Sequence, residues 1–429
     1  MSDAPGPVPA AAPPAASARR PAAPASALDP LPPARPPHAP VQLAVGVVGA
    51  GRRAQAHLAT IASLGAAGYY RLEGVCDSDP ERAEQAAARF GGTAYRSVAG
   101  LLDALARSSP AVVVVVTPPE AHHPVVELAA PRGVHALCET PLSFSLACAD
   151  RMIAAAARAG TVLETAENVW RFPEERAKRF LLDRGLVGDV GLIHCRYASG
   201  SYHAMNAMRH LARAPIASVT GDSVPIRAPL QARAGGGETL EVAWQAALLR
   251  FANGVRGVFE LPVRPGHGNH WGVDGALGCL DGCVLRRGGT AAPRLAPERL
   301  TERIGGVEVL VGLRYADHLW ENPLRGLPIP CDTDSIARAD EHLSLHRAVC
   351  RAGPNDYGGE QGRADLAAAS AIQESALLGG APVSPPFSAG LAHDRALHAE
   401  YERRFGFPPE EAAGHLETVA FPPSYPMTR

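Results

Sequence analysis

Gly49-Ala50-Gly51-Arg52-Arg53-Ala54 closes an apolar run, "LAVGVVGAG", with the spacing Gly-x-Gly-x-x-Ala. A glycine at the first position permits a tight turn, and one at the second lets backbone amides come close to an anionic group. The small Ala54 lets a following helix pack on the strand, with phosphate oxygens held at that helix's N-terminus. Roughly 26 residues after Gly51 a second apolar run, "RLEGVCD", ends in Asp77, whose carboxylate can accept both hydroxyls of a ribose. The chemistry expected is dinucleotide binding. Asp77 would repel a 2′-phosphate, so NAD is expected rather than NADP, although Arg52, Arg53 and Arg82 leave NADP open. The competing reading, turn glycines with no ligand, fits the glycines alone but not the strand, helix and Asp77 together.

The elements that must position these residues show in the alternation of apolar runs and helical patterns. The run Ala111 to Val116 is continuously apolar and β-branched, as suits a strand buried on both faces of a parallel sheet. Helical patterns follow Gly51 to about Leu64, start at Pro80 and at about Glu120, and recur from Ala147 to Ala159. Residues 41–165 are therefore expected to form a doubly wound α/β domain. After Gly191, "LIHCRYAS", "ASVTGDSV" and "LGCLDGCVLRR" read as strands, and Asn253-Gly254 reads as a two-residue hairpin turn. Residues 166–385 are expected to be a substrate-binding α/β domain with an open, mostly antiparallel sheet. Late helices, near Ile336 to Ala352 and Arg363 to Leu378, would pack back on the first domain. Residues 386–429 read as a Pro-rich tail wrapping a surface. Residues 1–40, rich in Ala and Pro, cannot bury enough apolar surface to offset the entropy of ordering and are expected to be disordered. Arg19-Arg20 is followed by prolines and no apolar stretch, so an export signal is not expected.

Length and charge narrow the function classes. A chain of 429 residues is expected to split into two globular domains. With 46% hydrophobic and 20% charged residues and a formal net charge of -2, it has no basic footprint for nucleic acid. No apolar run reaches the length of about 18 residues that a membrane span needs. Eight cysteines, with no Cys-x-x-Cys pair among them, read as reduced thiols in a cytoplasmic protein. His267 and His270 in "RPGHGNHWGVDG" lack a third ligand nearby, so no metal is expected.

Four further stretches, "TPPEAHH", "CETP", "ENVWRFPEER" and "YHAMNAMRHL", complete an ordered pattern from Leu43 to Pro382. Together they resemble the glucose-fructose oxidoreductase, inositol dehydrogenase and rhizopine-catabolism family, Gfo/Idh/MocA. The resemblance implies a Rossmann domain followed by a mainly antiparallel domain, with the substrate between them over the nicotinamide. It implies that Thr117, Pro118 and His122 line the dinucleotide, that Glu139 lies beside the nicotinamide ribose, and that Asn168 lies near the ring. His122 has an equally weighted alternative as a packing histidine.

The family's Glu-Lys-Pro is Glu139-Thr140-Pro141 here, and a threonine hydroxyl can hydrogen-bond but cannot act as an acid or base near neutral pH. The family's Asp-x-Gly-x-His-x-x-Asp matches Ser199 to Asn206, with both aspartates replaced and the histidine kept as His203. His203 is the leading proton-transfer candidate and Tyr202 the second. Arg171, Asn206 and Arg209 are expected to line the cleft floor and orient substrate.

The resemblance implies a nicotinamide-dependent oxidoreductase acting on a small molecule, a sugar, cyclitol or related polyhydroxy compound, in a homo-oligomer. A second reading is glycoside cleavage with recycled NAD, as in a branch of the family, and a third is an NAD-binding protein without catalysis.

Overall fold

The computed structural model describes residues 40–229, 239–262, 269–289, 291–351, 353–387 and 390–420. Apart from Pro40, the expectation of disorder over residues 1–40 lies outside the described residues, as does His267.

Six parallel strands form the first sheet: β1 (Leu43–Val48), β2 (Tyr70–Cys76), β3 (Thr93–Tyr95), β4 (Ala111–Val115), β5 (His135–Cys138) and β6 (Leu163–Thr165). Their order is β3-β2-β1-β4-β5-β6. This is the doubly wound order of a Rossmann domain, whose ligand crevice opens where the order reverses, beyond the carboxyl ends of β1 and β4. Every residue of β1 and β4 is buried. That explains their lack of alternation, because helices cover both faces of the sheet. The connecting helices are α1 (Arg52–Ala66), α2 (Pro80–Phe90), α3 (Val98–Arg107), α4 (His122–Ala129) and α5 (Leu146–Ala159). Asp79, Ser97 and Ser145 cap α2, α3 and α5 by accepting hydrogen bonds from first-turn amides, donors that a helix start otherwise leaves open.

The chain then passes through α6 (Pro173–Asp183) into β7 (Val190–Arg196), α7 (Ser201–Ala212), β8 (Ile216–Pro229), β9 (Thr239–Phe251), β10 (Arg256–Leu261), β11 (His270–Gly275), β12 (Gly278–Asp281), β13 (Val284–Arg287) and β14 (Arg294–Leu295). These strands form an eight-stranded sheet in the order β14-β13-β12-β11-β7-β10-β9-β8. It is antiparallel except where β10 meets β7. A separate sheet pairs β15 (Glu298–Ile304), β16 (Val307–Tyr315) and β17 (His318–Glu321). The hairpin at Asn253-Gly254 differs in detail from the expected one. Phe251 N–H donates to the Val255 carbonyl at 3.0 Å, so three residues form the connection, and Gly254 alone of them has a positive φ, +94°. A two-residue turn of type I′ needs positive φ at both of its central residues.

The junction of the two layers is filled by α8 (Thr333–Arg351) and α9 (Gly359–Leu377), with α9 lying on β8 and β9 and also against α5 and β6. The segment expected as a wrapping tail instead forms two helices, α10 (Ala392–Phe405) and α11 (Ala412–Thr418). α11 packs on α3 and α4, and α10 on α9. α10 buries only Asp394 and Tyr401, so its sequence carries no broad apolar stripe. Among the described residues no helix is long and apolar enough to cross a membrane.

Buried histidines give this fold an acid limit. The His123 ring is fully buried and faces the Pro409 carbonyl at 2.9 Å. Burial pushes its pKa down from 6.5 to about 4, and burial likewise lowers His57 and His122. Each is neutral in the folded chain and takes up a proton more readily when unfolded. The stability this provides is therefore complete above pH 6.5 and lost as the pH falls toward 4. Thermal unfolding midpoints should drop steadily over that window; a flat profile there would show that these rings titrate freely.

Candidate active site

Three strand ends build the cofactor turn. Gly49 takes φ +101°, and a Cβ there would lie 2.2 Å from the Val116 carbonyl oxygen, so no larger residue fits. Gly51 begins α1 with no side-chain cap, and a Cβ on it would meet nothing within 4 Å. Ala54 is fully buried against the sheet. Asp77 Oδ2 accepts from Ala50 N–H at 2.6 Å and Oδ1 from Asp79 N–H at 2.8 Å. Asp77 therefore braces the glycine turn, while a carboxylate keeps further lone pairs for ribose hydroxyls.

These residues fit a dinucleotide. A cavity of about 380 Å³ is lined by Gly49, Gly51, Asp77, Thr117 and Pro118. Thr117 Oγ1 is buried beside it with no hydrogen-bond partner among the described residues, a vacancy that a ligand oxygen would fill. The uncapped start of α1 carries no acidic side chain in its first turn and offers its amides to phosphate. Arg52 is exposed at that start.

Arg53 is spoken for. Its guanidinium donates to Glu139 Oε1 and to Asp334 of α8, at 3.0 and 3.1 Å for the two Asp334 oxygens. Asn168 Nδ2 donates to the same Asp334 at 3.0 Å. Arg53 and Asn168 thus meet at α8, the element that closes the domain junction. One turn beyond Arg53, His57 places Nε2 2.8 Å from Glu139 Oε1 and Nδ1 3.0 Å from His342 Nε2. Burial would push Glu139 up, but His57 and Arg53 together hold its carboxyl well below the usual range, so it stays ionised.

Thr140 links two groups. Its N–H donates to Glu139 Oε2 at 3.0 Å and its hydroxyl to the same oxygen at 3.4 Å, and its side chain is in hydrogen-bond contact with Tyr202. In place of an ammonium, position 140 thus carries a neutral bridge from a carboxylate to a phenol. Burial pushes the Tyr202 phenol up. Tyr202 therefore stays protonated and able to donate.

His203 follows on the first turn of α7, with Nδ1 at 2.8 and 2.9 Å from the two carboxylate oxygens of Glu167. Its ring packs 4.3 Å from that of Tyr202. Glu167 is 1% exposed and also accepts from Val169 N–H at 3.0 Å, which fixes its own rotamer. A buried carboxylate on Nδ1 leaves Nε2 as the nitrogen that can meet a substrate and stabilises the imidazolium formed there. Glu167 is the site residue that the sequence reading lacks, although it stands beside Asn168 in "ENVWR". Pairing it with His203 requires knowing that α7 returns over this loop.

Four expected site residues serve structure instead. His122 is fully buried, with Nε2 2.8 Å from the Thr117 carbonyl and Nδ1 3.1 Å from that of Pro141; it ties the two cofactor-side loops together from behind. Arg171, 1% exposed, pairs with Glu164 and Asp340. Deleting it would leave the buried Glu164 without its counter-charge, at about 3–5 kcal/mol, while Asp340 keeps Arg176. Asn206, also 1% exposed, accepts from Trp170 N–H at 3.1 Å and donates to Tyr357. Arg209 pairs with Asp365 and donates to the Gln361 carbonyl at 3.1 Å. Asn206 and Arg209 line another cavity, with Trp170 and Tyr357, which contains neither Tyr202 nor the glycine turn. His270 sits in β11 beside Asp281, at 3.3 Å.

Residues 43–167 match the Gfo/Idh/MocA family model, described as the oxidoreductase family, NAD-binding Rossmann fold. Over that stretch the chain is similar to the NAD-binding domain of this family. Over 166 residues it is 34% identical to inositol 2-dehydrogenase 4 of Saccharopolyspora erythraea, covering 37% of this chain and 46% of that protein. Over 115 residues it is 37% identical to D-apiose dehydrogenase of Paraburkholderia graminis, covering 27% and 30%. The chain thus spans less than half the length of these relatives. A levoglucosan dehydrogenase solved with NADH and levoglucosan superposes with a TM-score of 0.63 at 20% identity, covering 80% of this chain and all of that one; it shares the two-domain fold.

Proposed function

We propose that this chain is an NAD-dependent oxidoreductase of a sugar, cyclitol or related polyhydroxy compound, with His203 as the proton-transfer residue. The observation that carries the reading is the Glu167–His203 pair beside Tyr202, which itself touches Thr140. Bound NAD supplies the hydride acceptor, or NADH the donor. His203 Nε2 takes the hydroxyl proton during oxidation, Glu167 stabilises the charged ring, and Tyr202 donates a hydrogen bond to substrate oxygen. A cavity of about 280 Å³ at the domain junction presents Tyr202, Ser143, Ser201, Ser370 and Gln373. Such a set of hydroxyls and an amide suits a polyol, and the cavity shares Glu120 with the dinucleotide cavity. The relatives named for inositol, apiose and levoglucosan act on compounds of this class.

The test is purified protein incubated with NAD and a panel of inositols, aldoses and anhydrosugars, followed by NADH absorbance. NADH formation on a polyol supports the reading, and none across the panel with NAD bound counts against it. Chromogenic glycosides in the same panel cover the recycled-NAD alternative, since aglycone release without NADH would select it.

The same reading extends to assembly with a second copy. Leu248 (61% exposed) and Val258 (38% exposed) are cross-strand partners on the face of the large sheet turned away from the helices. Leu248→Glu is expected to shift the sedimenting species to a smaller one without loss of fold; an unchanged sedimentation coefficient would remove this face from the interface.

A further inference from the structure

The geometry points to a role for the C-terminal helices in the cofactor site: α10, α11 and the link between them form a fixed aromatic wall that stacks the adenine of NAD. This rests on the reading of the glycine turn as an NAD site. The cavity that begins at Gly49 and Asp77 is closed on its far side by Phe405, Phe407 and His415. The family match ends at residue 167 and so does not reach this wall.

Position assigns the adenine end. Gly49 and Gly51 mark where the pyrophosphate crosses the start of α1, and Asp77 marks the adenosine ribose. The part of the cavity beyond Asp77 therefore receives the base. Val98, Pro124 and Val125 give the cavity apolar surface on which a purine can be buried. Also lining it, the rings of Phe407 and His415 are stacked on each other, with centroids 3.9 Å apart and planes 23° apart. Phe405 and Phe407 are only half-buried, which leaves aromatic surface for a further flat ring. Purines stack on such surfaces whatever their edge pattern.

The wall is anchored. Arg132 of the first domain donates to Glu417 at 2.6 Å, Arg404 donates to Glu120 at 2.9 Å, and Asp394 accepts from Leu146 N–H at 2.7 Å. His123 holds the Pro409 carbonyl between the two helices. These ties come from α4, α5 and their flanking loops, so the wall is part of the Rossmann layer and is in place before ligand arrives.

The test titrates the full chain, as wild type, Phe407→Ala and His415→Ala, with NAD and with ADP-ribose, which keeps the adenosine end and lacks nicotinamide. Both variants are expected to bind both ligands about ten- to hundredfold more weakly, since one stacking contact is lost. His415 is exposed, so His415→Ala tests the wall even if Phe407→Ala folds poorly. Hydrogen exchange on the unaltered protein gives a second readout: NAD should protect amides across residues 405–416 as well as the glycine turn. Unchanged affinities in a folded variant, or protection confined to the turn, would overturn the wall while leaving the cofactor site standing. Wild type that binds neither NAD nor ADP-ribose would overturn the cofactor reading itself.

Discussion

His203→Ala is expected to lower kcat by about 10²–10⁴-fold, the usual contribution of a positioned acid or base, with NAD affinity unchanged and a folded protein of lower unfolding midpoint, because the buried Glu167 loses its partner. The side chain is 13% exposed and hydrogen-bonded to Glu167, so its removal opens a partly exposed space beside Tyr197 and Tyr202 rather than a hole in the core. Imidazole added to the buffer should restore part of the rate, because the site would still hold Glu167 ready to orient a small base. A purely structural histidine would show no such rescue. Glu167→Gln should lower kcat with little change in KM: the neutral amide keeps the shape but does not stabilise the charged ring. Steady-state rates on whichever polyol the panel identifies, with and without imidazole, decide it. Full activity in folded His203→Ala would move the proton transfer to another group, and Tyr202, held protonated by burial, could then serve only as a donor.

Much of this arrangement was legible in the chain, for reasons that differ by residue. The glycine turn and Asp77 were readable because their geometry is local: each ends an apolar run, buried throughout in β1 and over its last three residues in β2. His203 was readable through the resemblance, and the structure supplies its partner. Glu167 and His203 are 36 residues apart, and no spacing rule connects them. Arg171, Asn206 and Arg209 were misplaced for a related reason. Polar residue type near a motif looks the same whether the side chain faces a cleft or a buried counter-charge. Asp340 and Asp365, which claim two of them, lie on late helices more than 150 residues away. The C-terminal helices were hidden by composition, since prolines before and between them read as a tail while Phe405 and Phe407 carried the signal of a packed surface.

The second large effect is expected from one methyl group. Gly51→Ala should leave the fold intact and cost NAD about a hundredfold or more in affinity. Gly51 sits at φ −67° and ψ −174°, which alanine adopts without strain, and the added Cβ meets no protein atom within 4 Å. With backbone entropy removed from the unfolded chain, the variant should be as stable as wild type or slightly more so. The space it fills is the approach to the first amides of α1, where a pyrophosphate must come within hydrogen-bond distance. Losing two charge-assisted hydrogen bonds, each worth about 1.5–3 kcal/mol, gives at least that loss of affinity. Gly49→Ala cannot serve in its place, since its Cβ would strike the Val116 carbonyl at positive φ and disturb the turn itself. Titration of Gly51→Ala with NAD, beside its thermal unfolding curve, therefore separates ligand space from fold: weakened binding at unchanged stability locates the pyrophosphate over α1. Unchanged binding would mean that the dinucleotide does not cross this helix, and Asp77 and Thr117 would then lose their assigned partners as well.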